Sequence, residues 1–163
     1  MLDQDKIKEQ LSSWMITFLE RPNPDLGNWP PCPYARQARI AELIDIKFSK
    51  IDDLLETVKS SFDLLEQKDV IIICFDHTSI DVSVLQDLVK EINDSIMDDN
   101  YVILEDHPNE LEAVNGVQMN FTHCGLLLVQ KLDKLNQASA QLRSKGYYNV
   151  WAKSELDSVV NWR

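Results

Sequence analysis

The chain has 163 residues, 44% of them hydrophobic, and its 16 Lys+Arg stand against 27 Asp+Glu for a net charge of −11. That length suits a single domain, 1–163, with a real core. No apolar run approaches the roughly 20 residues of a membrane span, and the shortage of cations disfavours nucleic-acid phosphates as partners. Three cysteines, at 32, 74 and 124, make no disulfide framework, and the acidic start Met1-Leu2-Asp3-Gln4-Asp5 lacks a basic leader, so a reducing cytoplasm is expected.

In chain order, Ile7, Leu11, Trp14, Met15, Phe18 and Leu19 recur at helical spacing and predict an amphipathic helix over 4–20. Five of the six prolines then fall between Pro22 and Pro33, and three of them bracket Cys32. Proline fixes φ and biases its predecessor to extended backbone, so this thiol sits in a stiff, non-helical approach. A short helix follows over 34–42. Residues 1–42 are therefore expected to form a helix and a Pro-rich cover, 43–151 an α/β sheet core, and 152–163 a short polar tail.

Leu43 to Phe48 alternates as a strand, and Ser49 caps a helical pattern running to about Gln67. Val70-Ile71-Ile72-Ile73-Cys74-Phe75 is the continuous apolar run of a strand buried on both faces. A helix over 82–97 and a strand over 101–104 come next, then a long polar connection over 109–123. A strand over 125–132, a helix over 135–145 and a last strand over 147–151 complete the order.

From residue 69 the order strand, helix, strand, strand, helix, strand is that of the split βαβ unit. It predicts an α+β, ferredoxin-like sheet carrying one extra N-terminal βα unit and an N-terminal helix. An open flavodoxin-like sheet is the alternative, and the long connection between the third and fourth strands fits it poorly.

This topology would bring Asp76-His77, Asp106-His107 and His123-Cys124 to one sheet edge, where loops on a rigid scaffold place functional groups. Two chemistries compete there. His77, His107, His123 and Cys124 are residue types that ligate a transition metal, although no spacing matches a metal signature. Otherwise Cys32 is a thiol nucleophile, with His107, oriented by Asp106, as its base. Arg36 and Arg39, with Tyr34 and Asn120, would bind an anionic substrate through charge-assisted hydrogen bonds. Cys32-Pro33-Tyr34-Ala35 is similar to the Cys-Pro-Tyr-Cys of glutaredoxins, but alanine replaces the resolving thiol. Cys74 reads as an inert packing residue.

Cys32-Pro33-Tyr34-Ala35, then His107-Pro108, then Asn120-Phe121-Thr122 ahead of a Leu-rich strand resemble the motifs of a bacterial and phage family of small proteins with no assigned activity. The chain departs from that pattern where Glu105-Asp106 replaces an aromatic before His-Pro. The resemblance implies that Cys32 and His107 belong to one site. The expected function is therefore a small cytoplasmic enzyme acting on a small anionic substrate, by thiol or metal-assisted chemistry. The competing expectation is a non-catalytic acidic adaptor or inhibitor that docks a protein partner.

Overall fold

A computed structural model describes all 163 residues as a mixed α+β structure. Its sheet has strands β1 (Ile44–Phe48), β2 (Val70–Phe75), β3 (Tyr101–Asp106) and β6 (Gly125–Lys131), in the order β1-β2-β6-β3. β1 runs parallel to β2, and β6 lies between β2 and β3, antiparallel to both. The antiparallel centre excludes the flavodoxin-like alternative. No helix is long and apolar enough to cross a membrane.

The all-apolar reading of 70–75 holds because β2 is covered on both faces. On one face Ile71, Ile73, Phe75, Ile103, Leu127 and Val129 pack against α3 (Leu54–Lys59) and α4 (Val82–Ile96). On the other, Ile72, Cys74 and Leu126 meet Ile7 and Leu11 of α1 (Gln4–Trp14), with Phe121 and Cys124. A third cluster joins Leu142 of α5 (Leu132–Ser144) to Tyr147, Tyr148 and Val160, against Trp29 and Trp151.

Five expectations are corrected. The last strand, 147–151, is absent: Tyr147–Val150 form a 3-10 turn after Gly146 at φ 84°. Its aromatic run reads as β-rich, but Tyr147, Tyr148 and Trp151 pack on one another and on Trp29 rather than beside a strand. A complete ferredoxin-like unit needs that strand beside β2, and parallel β1 holds the place instead. The tail is also structured, with α6 (Lys153–Leu156) widening into a π-helical turn over Asp157–Asn161 that buries Val160.

The long polar connection contains a small hairpin, β4 (Ala113–Val114) and β5 (Val117–Gln118). It turns at Asn115-Gly116, where φ is 47° and 81°, the left-handed pair that a two-residue hairpin turn requires. The helix expected over 49–67 breaks after Lys59. The Ser60 and Ser61 hydroxyls both donate to the Thr57 carbonyl, and such local bonds compete with the helical ladder.

Candidate functional site

A cleft of about 1140 Å³ lies against the α1-side face of the sheet. Its floor is Ile44, Ile72, Leu126, Leu128 and Gln130. The N-terminal cover supplies Trp14, Met15, Leu19, Pro31 and Cys32, and the C-terminal segment supplies Trp151, Ser158, Val159 and Trp162. Past the edge of β3 the lining continues with Val89, Met97, Glu105, Asp106, Glu110 and Glu112.

Two π-helical turns face this space from opposite chain ends. Met15–Leu19 continues α1 and contributes Met15 and Leu19, while Asp157–Asn161 contributes Ser158 and Val159. π-turns are rare and concentrate at functional sites, because the widened turn sacrifices helical geometry to re-aim side chains.

The cover is tied down at several points. The Cys32 N–H donates to the Leu19 carbonyl, and the Tyr147 hydroxyl donates to the Pro31 carbonyl. The Tyr34 hydroxyl lies 3.3 Å from both the Ala138 carbonyl and Gln141 Oε1 of α5. Trp29 and Pro30 are half-buried and Pro31 is buried, so the Trp-Pro segment is not the exposed apolar patch that a docking surface would need.

Cys32 lines the cleft and is half-buried. Burial raises its thiol pKa; the N–H groups of Tyr34 and Ala35 pull it down, and the Glu20 carboxylate pushes it up again. Together these effects disfavour the thiolate, so nothing here activates the thiol.

The expected Cys32–His107–Asp106 relay is not built. His107 is fully buried, its Nε2 lies 3.2 Å from the His77 carbonyl and 3.0 Å from the Ile80 carbonyl, and its Nδ1 accepts from the Asn109 N–H. Both ring nitrogens are consumed by main chain. Asp106 does not orient the ring: its carboxylate accepts from Asn120 Nδ2 at 3.0 Å and from the Phe121 N–H at 2.8 Å. Asn120 is buried, also donates to the His107 carbonyl, and accepts from the Glu112 N–H, so it closes the loop between β3 and β6 and is not free for a substrate.

The metal set is likewise dispersed. The His77 and His107 rings meet edge to face with centroids 5.6 Å apart, but exposed His123 packs on Phe121 instead. Buried Cys124 lies in the same apolar cluster as Cys74, and the neighbouring thiol together with burial raises its thiol pKa. Nowhere do three or more His, Cys, Asp or Glu side chains converge as a metal site. Arg36 is exposed on α2 (Ala35–Ile40). Arg39 forks onto Glu20, with Nε–Oε1 at 2.6 Å and Nη2–Oε2 at 3.1 Å, and Glu20 is 6% exposed.

The carboxyl groups beyond the β3 edge were not legible as a group. Burial, then Asp106, Glu110 and Glu105, push Glu112 up to about 8. Burial also raises Glu105 and Asp106. These four acids are spread over residues 105–112, and only the hairpin folds Glu112 back toward β3. The Asn115-Gly116 dipeptide was the signal that could have shown it.

The fold and cleft thus define a small α+β protein with a mainly apolar cleft between its sheet and its two chain ends. Comparison with protein families, with curated proteins and with solved structures finds no match.

Proposed function

We propose that this protein binds a small molecule with a largely apolar body in the cleft between the sheet and the two terminal segments. The observation that carries this reading is the cleft's size and lining. At about 1140 Å³ it is of the order of small-molecule sites, about 300–1,000 Å³, which are apolar with a few placed polar groups. The two π-turns on its walls support the same reading. Cys32 stands on the wall as a protonated thiol, and the cleft offers it no histidine base, so the reading is of binding before chemistry. The cytoplasmic setting belongs to this reading too: three free thiols suit a reducing compartment.

The test is uptake of a neutral apolar fluorophore, N-phenyl-1-naphthylamine, by the whole chain and by Leu128→Trp, which fills the cleft floor. One dye per chain is expected in the native protein, with uptake lost in a Leu128→Trp variant that keeps its circular dichroism spectrum. No uptake, or equal uptake by both, overturns the reading. A second floor variant, Ile72→Phe, serves if Leu128→Trp does not fold.

A further inference from the structure

A second pocket of about 440 Å³ adjoins the cleft, with Met15 and Ile44 lining both. That smaller pocket collects Lys8, Arg39 and Lys68, with Ser12 beside them and Glu42 as its one acidic lining residue. Three cations at one place stand out in a chain with 16 basic and 27 acidic residues.

Each charge can be followed. The Arg39 guanidinium is matched by the buried Glu20 carboxylate. Lys68 Nζ donates to the Glu42 carbonyl at 2.7 Å, which occupies one of its three protons and leaves its charge. Lys8 Nζ lies 5.8 Å from the Phe48 ring centroid and enters no ion pair. Glu42 and Lys8 are both exposed, so water screens them alike. Lys8, Lys68 and Arg39 still exceed Glu42 and Glu20 by one, so the pocket keeps a net positive charge. The far end of the cleft carries Glu105, Asp106, Glu110 and Glu112 against the single cation Lys90, so even with Glu112 protonated that end offers an anion no net positive charge.

We infer that the ligand is an anionic amphiphile: an apolar chain along Ile44 and Met15 into the cleft, and one anionic headgroup at Lys8 and Lys68, with the Ser12 hydroxyl as a further donor. The inference rests on the cleft reading and adds the headgroup and its direction. Opposite fields at the two ends orient the molecule, and the apolar floor supplies burial that a headgroup alone would lack.

Three probes with the same alkyl chain separate the two readings: dodecanoate, dodecanol and dodecylamine, each below its micelle concentration. Binding is read by Trp emission, since Trp14, Trp151 and Trp162 line the cleft. Dodecanoate is expected to bind about tenfold more tightly than dodecanol, the effect of one or two charge-assisted hydrogen bonds. Lys8→Gln/Lys68→Gln should remove that advantage and leave dodecanol unchanged. Lys8→Gln alone, which disturbs no hydrogen bond within the protein, should remove part of it. Equal affinity for acid and alcohol, tightest binding of the amine, or an unchanged double variant overturns the headgroup assignment while the cleft stands. If none of the three probes binds, the cleft reading falls as well.

Discussion

The Asn93 carboxamide pairs with the whole peptide of Ile103: its Oδ1 accepts from the Ile103 N–H at 2.8 Å and its Nδ2 donates to the Ile103 carbonyl at 3.0 Å. β3 has β6 on one side only, so these groups lie on its open edge. Asn93, buried in α4, supplies the hydrogen bonds that a further strand would have made. An unguarded edge is a template for pairing with another chain. Asn93→Ala leaves both groups unpaired beside a fully buried residue, and a loss of about 2–4 kcal/mol is expected in urea unfolding. Asn93→Asp restores an acceptor but sets a carboxylate against the carbonyl, so its deficit should shrink on acidification. An exposed-site cost below about 0.5 kcal/mol for Asn93→Ala would show that the edge is otherwise covered.

Glu112 makes stability fall with rising pH. Its carboxyl, pushed from an ordinary 4.5 to about 8, keeps in the folded state a proton that the unfolded chain releases. The contribution is complete below about 4.5 and erodes as pH climbs to about 8. Glu105 and Asp106 are raised in the same sense. A loss on the order of 1–3 kcal/mol between those limits is expected after solvent screening. Thermal melts should show a falling Tm across this window, flattened in Glu112→Gln. A Tm that rises from acid to neutral in the native protein, with no change in the variant, contradicts the assignment.

Gly125 is required for space. A Cβ there would stand 2.2 Å from Phe75 Cζ and 2.3 Å from its Cε2, and the two residues face each other across β2 and β6. Phe75 is fully buried and cannot swing away. Gly125→Ala should cost about 1–3 kcal/mol as an overpacked core. Phe75→Leu in the same chain should relieve part of that cost, giving a coupling of at least about 0.5 kcal/mol in a double-mutant cycle.

The three thiols should react in two groups. Cys32 is half-buried, whereas Cys74 and Cys124 are fully buried against each other. A short iodoacetamide pulse at neutral pH, read by mass spectrometry, should label Cys32 alone and slowly, because burial keeps its thiol protonated. Cys74 and Cys124 should label together and only on unfolding. Fast labelling of Cys32 would mean that the cover over 28–36 opens in solution and would return the nucleophile reading to consideration.

Strong periodic or continuous apolar segments were legible because their pattern is the packing itself. Residues 70–75, 82–96 and 125–131 bury the faces that their spacing marks, whereas the hairpin turn at Asn115-Gly116 was passed over inside a polar connection. Short aromatic runs were not: Tyr147-Tyr148 suits a strand or a packed turn equally, and Trp29 and Val160, more than a hundred residues apart in the chain, decided for the turn. The candidate site divided in the same way. The stiff approach to Cys32 and the charge of Arg39 were read from local sequence, since proline stiffness and charge are local properties, but the pockets these residues line were not. Whether His107 is a base depends on what its nitrogens meet, and the carbonyls of His77 and Ile80 come from a loop 27 to 30 residues earlier. The cleft itself exists only because both chain ends fold over one sheet face. A sequence states the chemistry of each side chain, but long-range hydrogen bonds and burial, set by the whole fold, decide which of those groups remain free to act.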